Sequence, residues 1–265
     1  MSLLVLVLGV GPMSRWKKTS VSYLIEQLGK VALTSLAIGV VLPTIILLQV
    51  SWVAIVAVTL AAWIVLSMLK DMANKTANKA ARLAGLRALS LSYYGMQAAH
   101  FGMALMLIGV AFTSEFSEEK SVLLAPGESI DVGSYNFTFN DTQAITGPNY
   151  VGNQADFSVS KNGNELGNLN PERRIYLATG TPSTEMAIDA GFLRDLFVTL
   201  GEEKENSAWT MTIYVKPFIR WIWLGAIFMA FGGTVAAGDK RYRRVRERYL
   251  KREEQALATN LQVAS

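Results

Sequence analysis

Four stretches of the chain are long, apolar and free of acidic side chains: residues 31–50, 52–69, 97–113 and 218–238. Each approaches the roughly 20 residues that an α-helix needs to cross a hydrocarbon core of about 30 Å. Each is therefore predicted to be a transmembrane helix. A fifth apolar piece, residues 2–12, is too short to span. Its cations, Arg15, Lys17 and Lys18, follow the apolar part, whereas a secretory signal carries them in front. It reads as a clipped helix whose beginning is missing. Between the last two spans lies a polar stretch, residues 114–217, with a different period. "SYNFTFND" and "DFSVSKNGN" alternate apolar and polar positions as half-buried strands do, and Asn162-Gly163 is a strong hairpin signal. "AWTMTIYVKP" alternates again and leads directly into the last span. "TEMAIDAGFLRDLFVTLGEE" has mixed spacing and is predicted to hold a short helix with a loop. The expected fold class is an α-helical integral membrane protein with an inserted antiparallel β domain, a small barrel or sandwich of about 100 residues.

Composition sharpens this reading. Of 265 residues, 51% are hydrophobic and only 17% charged, where a soluble domain carries about a quarter charged. The cations fall in three clusters: before the first full span, between the second and third, and in the tail, residues 239–265. All three lie on one side if the spans alternate, and the positive-inside rule makes that side cytoplasmic. Residues 114–217, with 15 acidic against 7 basic side chains, then lie outside. Helical pitch in the basic tail fits a solvated helix against anionic headgroups, rather than a nucleic-acid site. Trp209 and Tyr214, near the last span, are expected to be interfacial anchors. Absence of cysteine excludes disulfides, thiolate metal sites and thiol nucleophiles.

The one histidine, His100, stands in the third span. Polar groups at membrane depth are paired, inward-facing or functional. Three readings stay open: a neutral imidazole bonded to a neighbouring helix, a proton relay, or an axial iron ligand. A relay needs further buried acids or bases, and none lies within the four spans as delimited above. Ala104, Leu107 and Ala111 share the His100 face, and two alanines leave room for a flat ligand or a helix. Gly102 and Gly109 lie on a second face, and Gly95 precedes the segment; such residues let membrane helices approach closely. No phosphate-binding loop or dinucleotide fingerprint is present in its required context.

Four segments carry a resemblance. "AAHFGMALMLIGVAFTS" (Ala98–Ser114), "PERRIYLATGTPSTEMAIDAGFLRDLFVTLGE" (Pro171–Glu202), "KPFIRWIWLGAIFMAFGG" (Lys216–Gly233) and "LGVGPMSRW" (Leu8–Trp16) resemble, in order, parts of the CcmF family of bacterial cytochrome c maturation. The resemblance implies a multi-pass protein of the bacterial inner membrane, with its β domain periplasmic and its C-terminus cytoplasmic. It implies a haem lyase that takes haem from the chaperone CcmE, works with a CcmH-type thiol-handling partner, and promotes thioether formation on apocytochrome c. It also implies a haem b held in the membrane by two histidines on different helices. His100 matches one of the two. Arg173 and Arg174 fall in the outer-domain signature, as haem-propionate contacts or as fold-stabilising ion pairs.

Departures from the family pattern are equally specific. The tryptophan-rich haem-handling signature, the two outer histidines and the other haem b ligand have no counterpart here. The chain is therefore expected to be the C-terminal portion of such a protein, from a split gene or a truncated reading frame. On this reading it depends on a separate N-terminal part of CcmF for the second ligand and for lyase activity. The alternative is a non-catalytic assembly module that docks partners through its β domain, with His100 serving only helix packing.

Overall fold

A computed structural model describes residues 2–14, 19–47, 50–77 and 82–239. The chain divides into two compact units. One comprises the residues up to Ile108 together with those from Ile222 onward; the other is Gly109–Trp221.

The first unit is helical. α1 (Ser2–Val10) runs into a single 3₁₀ turn, Gly11–Met13. α2 spans Val21–Leu47, α3 Trp52–Thr76, α4 Arg82–Arg87, α5 Leu91–Phe116 and α6 Ile219–Ala237. Of these, α2, α3, α5 and α6 are long and apolar enough to cross a membrane. Three of them run past the apolar stretches read from sequence: α2 starts ten residues earlier, α3 continues to Thr76, and α5 begins at Leu91. Three hydroxyls of α2 satisfy themselves on their own helix. Thr34 donates to the Lys30 carbonyl (2.9 Å), Ser35 to Val31 (2.7 Å) and Thr44 to Val40 (2.6 Å). A polar side chain then costs little in lipid, where no water can serve it. Ser51 caps α3, accepting the Ala54 N–H at 3.2 Å.

Helices in this unit meet through small residues. Gly9 packs on the Trp63 indole, and Gly39 packs on Thr59. The Trp63 Nε1–H donates to the Leu6 carbonyl at 3.1 Å, tying α1 to α3. On α5 and α6 the pairing is reciprocal: Gly102 lies against Gly225, and Gly95 against Gly232. A β-carbon on Gly102 would stand 2.5 Å from the Gly225 carbonyl oxygen, and one on Gly225 would stand 2.5 Å from that of Gly102. Only glycine allows this backbone approach.

The second unit is an antiparallel sandwich. Its strands are β1 (Glu118–Leu124), β2 (Ser129–Val132), β3 (Tyr135–Thr146), β4 (Tyr150–Lys161), β5 (Asn164–Leu169), β6 (Glu172–Tyr176), β7 (Pro182–Glu185), β8 (Ala187–Ala190), β9 (Arg194–Glu203) and β10 (Trp209–Pro217). One sheet has the order β1-β10-β9-β8; the other runs β2-β3-β4-β6-β7, with β5 also on β4. Strand period 2 puts alternate side chains inside. Phe137, Phe139, Phe157, Leu196, Val198, Leu200 and Ile213 are fully buried in one cluster. Phe139 and Phe157 are register partners and stack at 5.3 Å. Asn162 and Gly163 turn β4 into β5 with φ of 51° and 78°, the left-handed pair of a tight hairpin.

Two expectations are corrected. The mixed segment Thr184–Glu203 contains no helix: it is the end of β7, all of β8 and β9, and the β8–β9 turn. Its inward period is clean in Leu196, Val198 and Leu200, and the apolar residues Phe192 and Leu193 that blurred it belong to the turn. Trp209 is no interfacial anchor either. It starts the inward series Trp209, Met211, Ile213, Val215 and is 3% exposed inside the sandwich. The basic tail, apart from Asp239, lies outside the described residues.

Candidate functional site

His100 stands in the second turn of α5's apolar part and is half-buried. Its Nδ1 is 2.8 Å from the Met96 carbonyl oxygen, one turn back. A carbonyl can only accept, so Nδ1 carries the proton and Nε2 holds the lone pair. Among the described residues Nε2 has no partner. A backbone carbonyl fixing one ring nitrogen so that the other can ligate is the usual arrangement of a metal-binding histidine. At 100° per residue, His100 lies roughly 160° around the helix from Gly102. α6 therefore packs on the flank of α5 turned away from the imidazole. One turn on, Ala104 is 2% exposed and packed among Leu60, Ala61 and Ile64 of α3. An open cleft of about 270 Å³ lies between α2, α3 and α5, lined only by apolar side chains, Leu42, Val58, Phe101 and Leu105 among them. His100 does not line it.

Below His100, α5 carries a polar column that the apolar-run reading missed. Lys75 Nζ sits 2.6 Å from both carboxylate oxygens of Asp71, whose side chain is 6% exposed. Tyr93 donates its hydroxyl to Asp71 Oδ2 (2.9 Å), and Gln97 Nε2 donates to Tyr93 Oη (2.5 Å). Lys75 also lies over the Tyr93 ring at 4.7 Å. The Gln97 Oε1 and the Ser67 Oγ are buried with no partner among the described residues. A buried carboxylate inside a membrane helix is costly unless paired, and here it has a cation and a phenol. Asp71 lies two residues past the limit set for the second span, which is why no acid was counted there. The signal was present: Asp71 and Lys75 are four apart, as are Tyr93 and Gln97, so each pair shares a helix face.

Arg173 and Arg174 lie on β6, in the other unit, on opposite faces of the strand. Arg173 reaches Glu202 at 3.5 Å. Arg174 donates from Nε to Glu172 (2.7 Å), stands 4.0 Å from Glu185, and covers the Tyr150 ring at 4.4 Å. The Glu172 hydrogen bond holds its guanidinium well above the usual arginine range, so it is charged at every physiological pH. Glu202 is held below the usual carboxylate range, first by Lys204 and then by Arg173.

As a metal site these residues offer one imidazole nitrogen, Nε2 of His100. The chain has one histidine, so it cannot supply a second. Among the described residues no cluster of three metal-ligating side chains exists. A lone free imidazole nitrogen at membrane depth fits half of a bis-histidine haem site.

A membrane bundle that opens between its last two spans into an antiparallel sandwich defines a class of membrane-anchored β-sandwich proteins. Residues 115–217 match the family model described as the CcmF C-terminal beta-sandwich. The chain is 43% identical over 252 residues to the cytochrome c-type biogenesis protein CcmF of Pseudomonas fluorescens, covering 93% of this chain and 38% of that protein. It is 37% identical over 239 residues to CcmF of Escherichia coli, covering 90% and 36%. The biogenesis protein NrfE of Haemophilus influenzae is 38% identical over 146 residues, 55% of this chain and 23% of that one. A solved structure titled cytochrome c heme lyase CcmF superposes with a TM-score of 0.71 at 20% identity, over 89% of this chain and 38% of that chain; it shows a common fold. The chain belongs to the CcmF family and corresponds to its C-terminal portion. It spans little more than a third of the length of these relatives.

Proposed function

We propose that this chain is the C-terminal component of a cytochrome c haem lyase, and that His100 is one axial ligand of a haem b within the membrane. The observation that carries the reading is the His100 ring itself: Nδ1–H is committed to Met96, and Nε2 has no hydrogen-bond partner among the described residues. The second ligand comes from a histidine outside these 265 residues. Bound there, the haem supplies one-electron transfer toward the haem being attached. The chain's own residues do the holding. Met96 sets the tautomer and ring direction, and Ala104 keeps the neighbouring helix packed one turn away.

The rest of the pathway follows from family membership. The working partners are the N-terminal part, a CcmH-type thiol-handling protein, the CcmE chaperone and apocytochrome c. The membrane is the bacterial inner membrane. The distribution of cations supports a periplasmic sandwich and a cytoplasmic C-terminus. Arg173 and Arg174 act within this domain as fold-stabilising ion pairs, since each already faces a glutamate.

The test is co-expression of this chain with the N-terminal part, purification, and absorption spectra of wild type, His100→Ala and His100→Asn. Loss of the bis-histidine band pattern in both variants, with the complex still co-purifying, is the expected result. An unchanged spectrum removes the ligand role. Intact cytochrome c maturation in His100→Asn, with unchanged partner capture, leaves the assembly-module reading instead.

A further inference from the structure

Two short hairpin tips of the sandwich differ in character. Asn162-Gly163 follows turn chemistry: both residues are polar or small, both have positive φ, and both are exposed. The β8–β9 tip breaks it. Gly191 N–H donates to the Arg194 carbonyl at 2.9 Å, leaving Phe192 and Leu193 as a two-residue loop. Tight turns of this length ask for Asn, Asp or Gly. Here they carry two large apolar side chains, 66% and 56% exposed. A local rule broken at positions that stay this exposed points to a function outside the fold.

What the tip is tied to identifies its surroundings. Phe218 donates its N–H to the Leu193 carbonyl at 2.8 Å, and Trp221 Nε1–H donates to the Phe192 carbonyl at 3.1 Å. The Phe192 and Trp221 rings meet at 5.6 Å. Arg220 bonds Asp195 through Nε at 2.9 and 3.3 Å, just past the turn. Phe218, Arg220 and Trp221 are the junction residue and first turn of α6, a membrane span. Phe218 holds a left-handed φ of 54°, rare for a bulky residue, with its ring packed between Phe112 and Trp221. The tip is therefore tied to the residues with which the chain begins the α6 span.

We infer that the Phe192–Leu193 tip is a membrane-insertion device: it seats in the headgroup–acyl boundary of the leaflet on the sandwich side and holds the domain against the lipid surface. Amphipathic elements with exposed aromatic and leucine side chains bury to about 5–10 Å in this zone. The charges around the tip are compensated within the domain. Arg194 and Arg220 are each paired, with Asp189 and Asp195, while Lys216 packs on the Tyr214 ring at 5.1 Å. A second copy of the chain is a poor occupant. Two side chains bury at most a few hundred Å², against about 800 Å² per partner in a stable interface.

The absence of cysteine makes the test direct. Phe192→Cys, Leu193→Cys and the control Asn162→Cys are each spin-labelled on the full chain in lipid nanodiscs. Accessibility is read by electron paramagnetic resonance to oxygen, which concentrates in lipid, and to a water-soluble nickel complex. Lipid-type accessibility at 192 and 193, against water-type accessibility at 162, is the expected result, with a label at either tip position shielded from nickel at least several-fold better than the control. Water-type accessibility at both tip positions overturns the inference. So does shielding from both reagents, which would mean that protein covers the tip.

Discussion

The two units bury opposite kinds of residue. In the sandwich, the largest side chains are the most hidden: Phe137, Phe139 and Phe157 have no exposure at all. In the helical unit a small core around Ile64 and Trp63 is hidden, while many large apolar residues lie outside, with Leu33 70%, Ile45 66%, Trp223 71% and Ile227 64% exposed. Glycine, alanine and serine take the contacts, as at Gly95, Gly102, Ala54 and Ser35. Water drives Phe137 inward, because exposed apolar surface costs about 25 cal/mol per Å². Lipid offers Leu33 nothing to escape from, so helices associate by close packing and hydrogen bonds instead. The same chain therefore solves the burial problem twice, once for each solvent.

The contrast can be broken most forcefully by equal truncations on its two sides. Phe137→Ala should destabilise the sandwich by about 3–5 kcal/mol, whereas Leu33→Ala should change stability by under about 0.5 kcal/mol. Hydrogen exchange by mass spectrometry, read separately over β3–β4 and over α2 in nanodiscs, checks both. A cost at Leu33 comparable to that at Phe137 would mean that the outer face of α2 is packed against protein. Next in size is the small-residue contact. Gly102→Leu places a side chain where only a carbonyl fits, and should cost about 1–3 kcal/mol or separate α5 from α6. Cross-linking of cysteines introduced near the two glycines should fall, with the sandwich still protected from exchange. A third effect is expected in the polar column. Tyr93→Phe removes a donor from Asp71 and should cost about 1–3 kcal/mol, at the lower end because Lys75 still pairs the carboxylate. Thermal unfolding in detergent, with Gln97→Leu as a companion, measures it; no change in either would show that the column contributes nothing.

What could be read from sequence follows the same division. The spans were legible because about 20 uncharged residues in a row have few alternatives. Their ends were not. Asp71, Tyr93 and Gln97 look like a boundary until the hydrogen bonds among them are seen, and those join residues 22 and 4 positions apart. The Asn162-Gly163 hairpin was legible because its turn chemistry is local. Thr184–Glu203 was not, because Phe192 and Leu193 put apolar side chains into a turn and blurred the period of both flanking strands. Trp209 was misread from its nearness to a span, when the inward series ending at Val215 decides its place. At His100 the residue and its helix were legible, and the glycine face is the contact with α6. The ring's tautomer needed the Met96 carbonyl, which coordinates alone reveal.

One feature of the sandwich reaches further than its own stability. Its first and last strands are neighbours in one sheet, Glu118 opposite Val215, and Thr113 donates to the Pro217 carbonyl at 2.7 Å just outside them. The segment thus leaves and returns through a single narrow doorway. A domain inserted at so small a footprint can be lengthened, exchanged or replaced without moving the two helices that carry it, which makes this stretch a cassette on which recognition can evolve while the membrane part stays fixed.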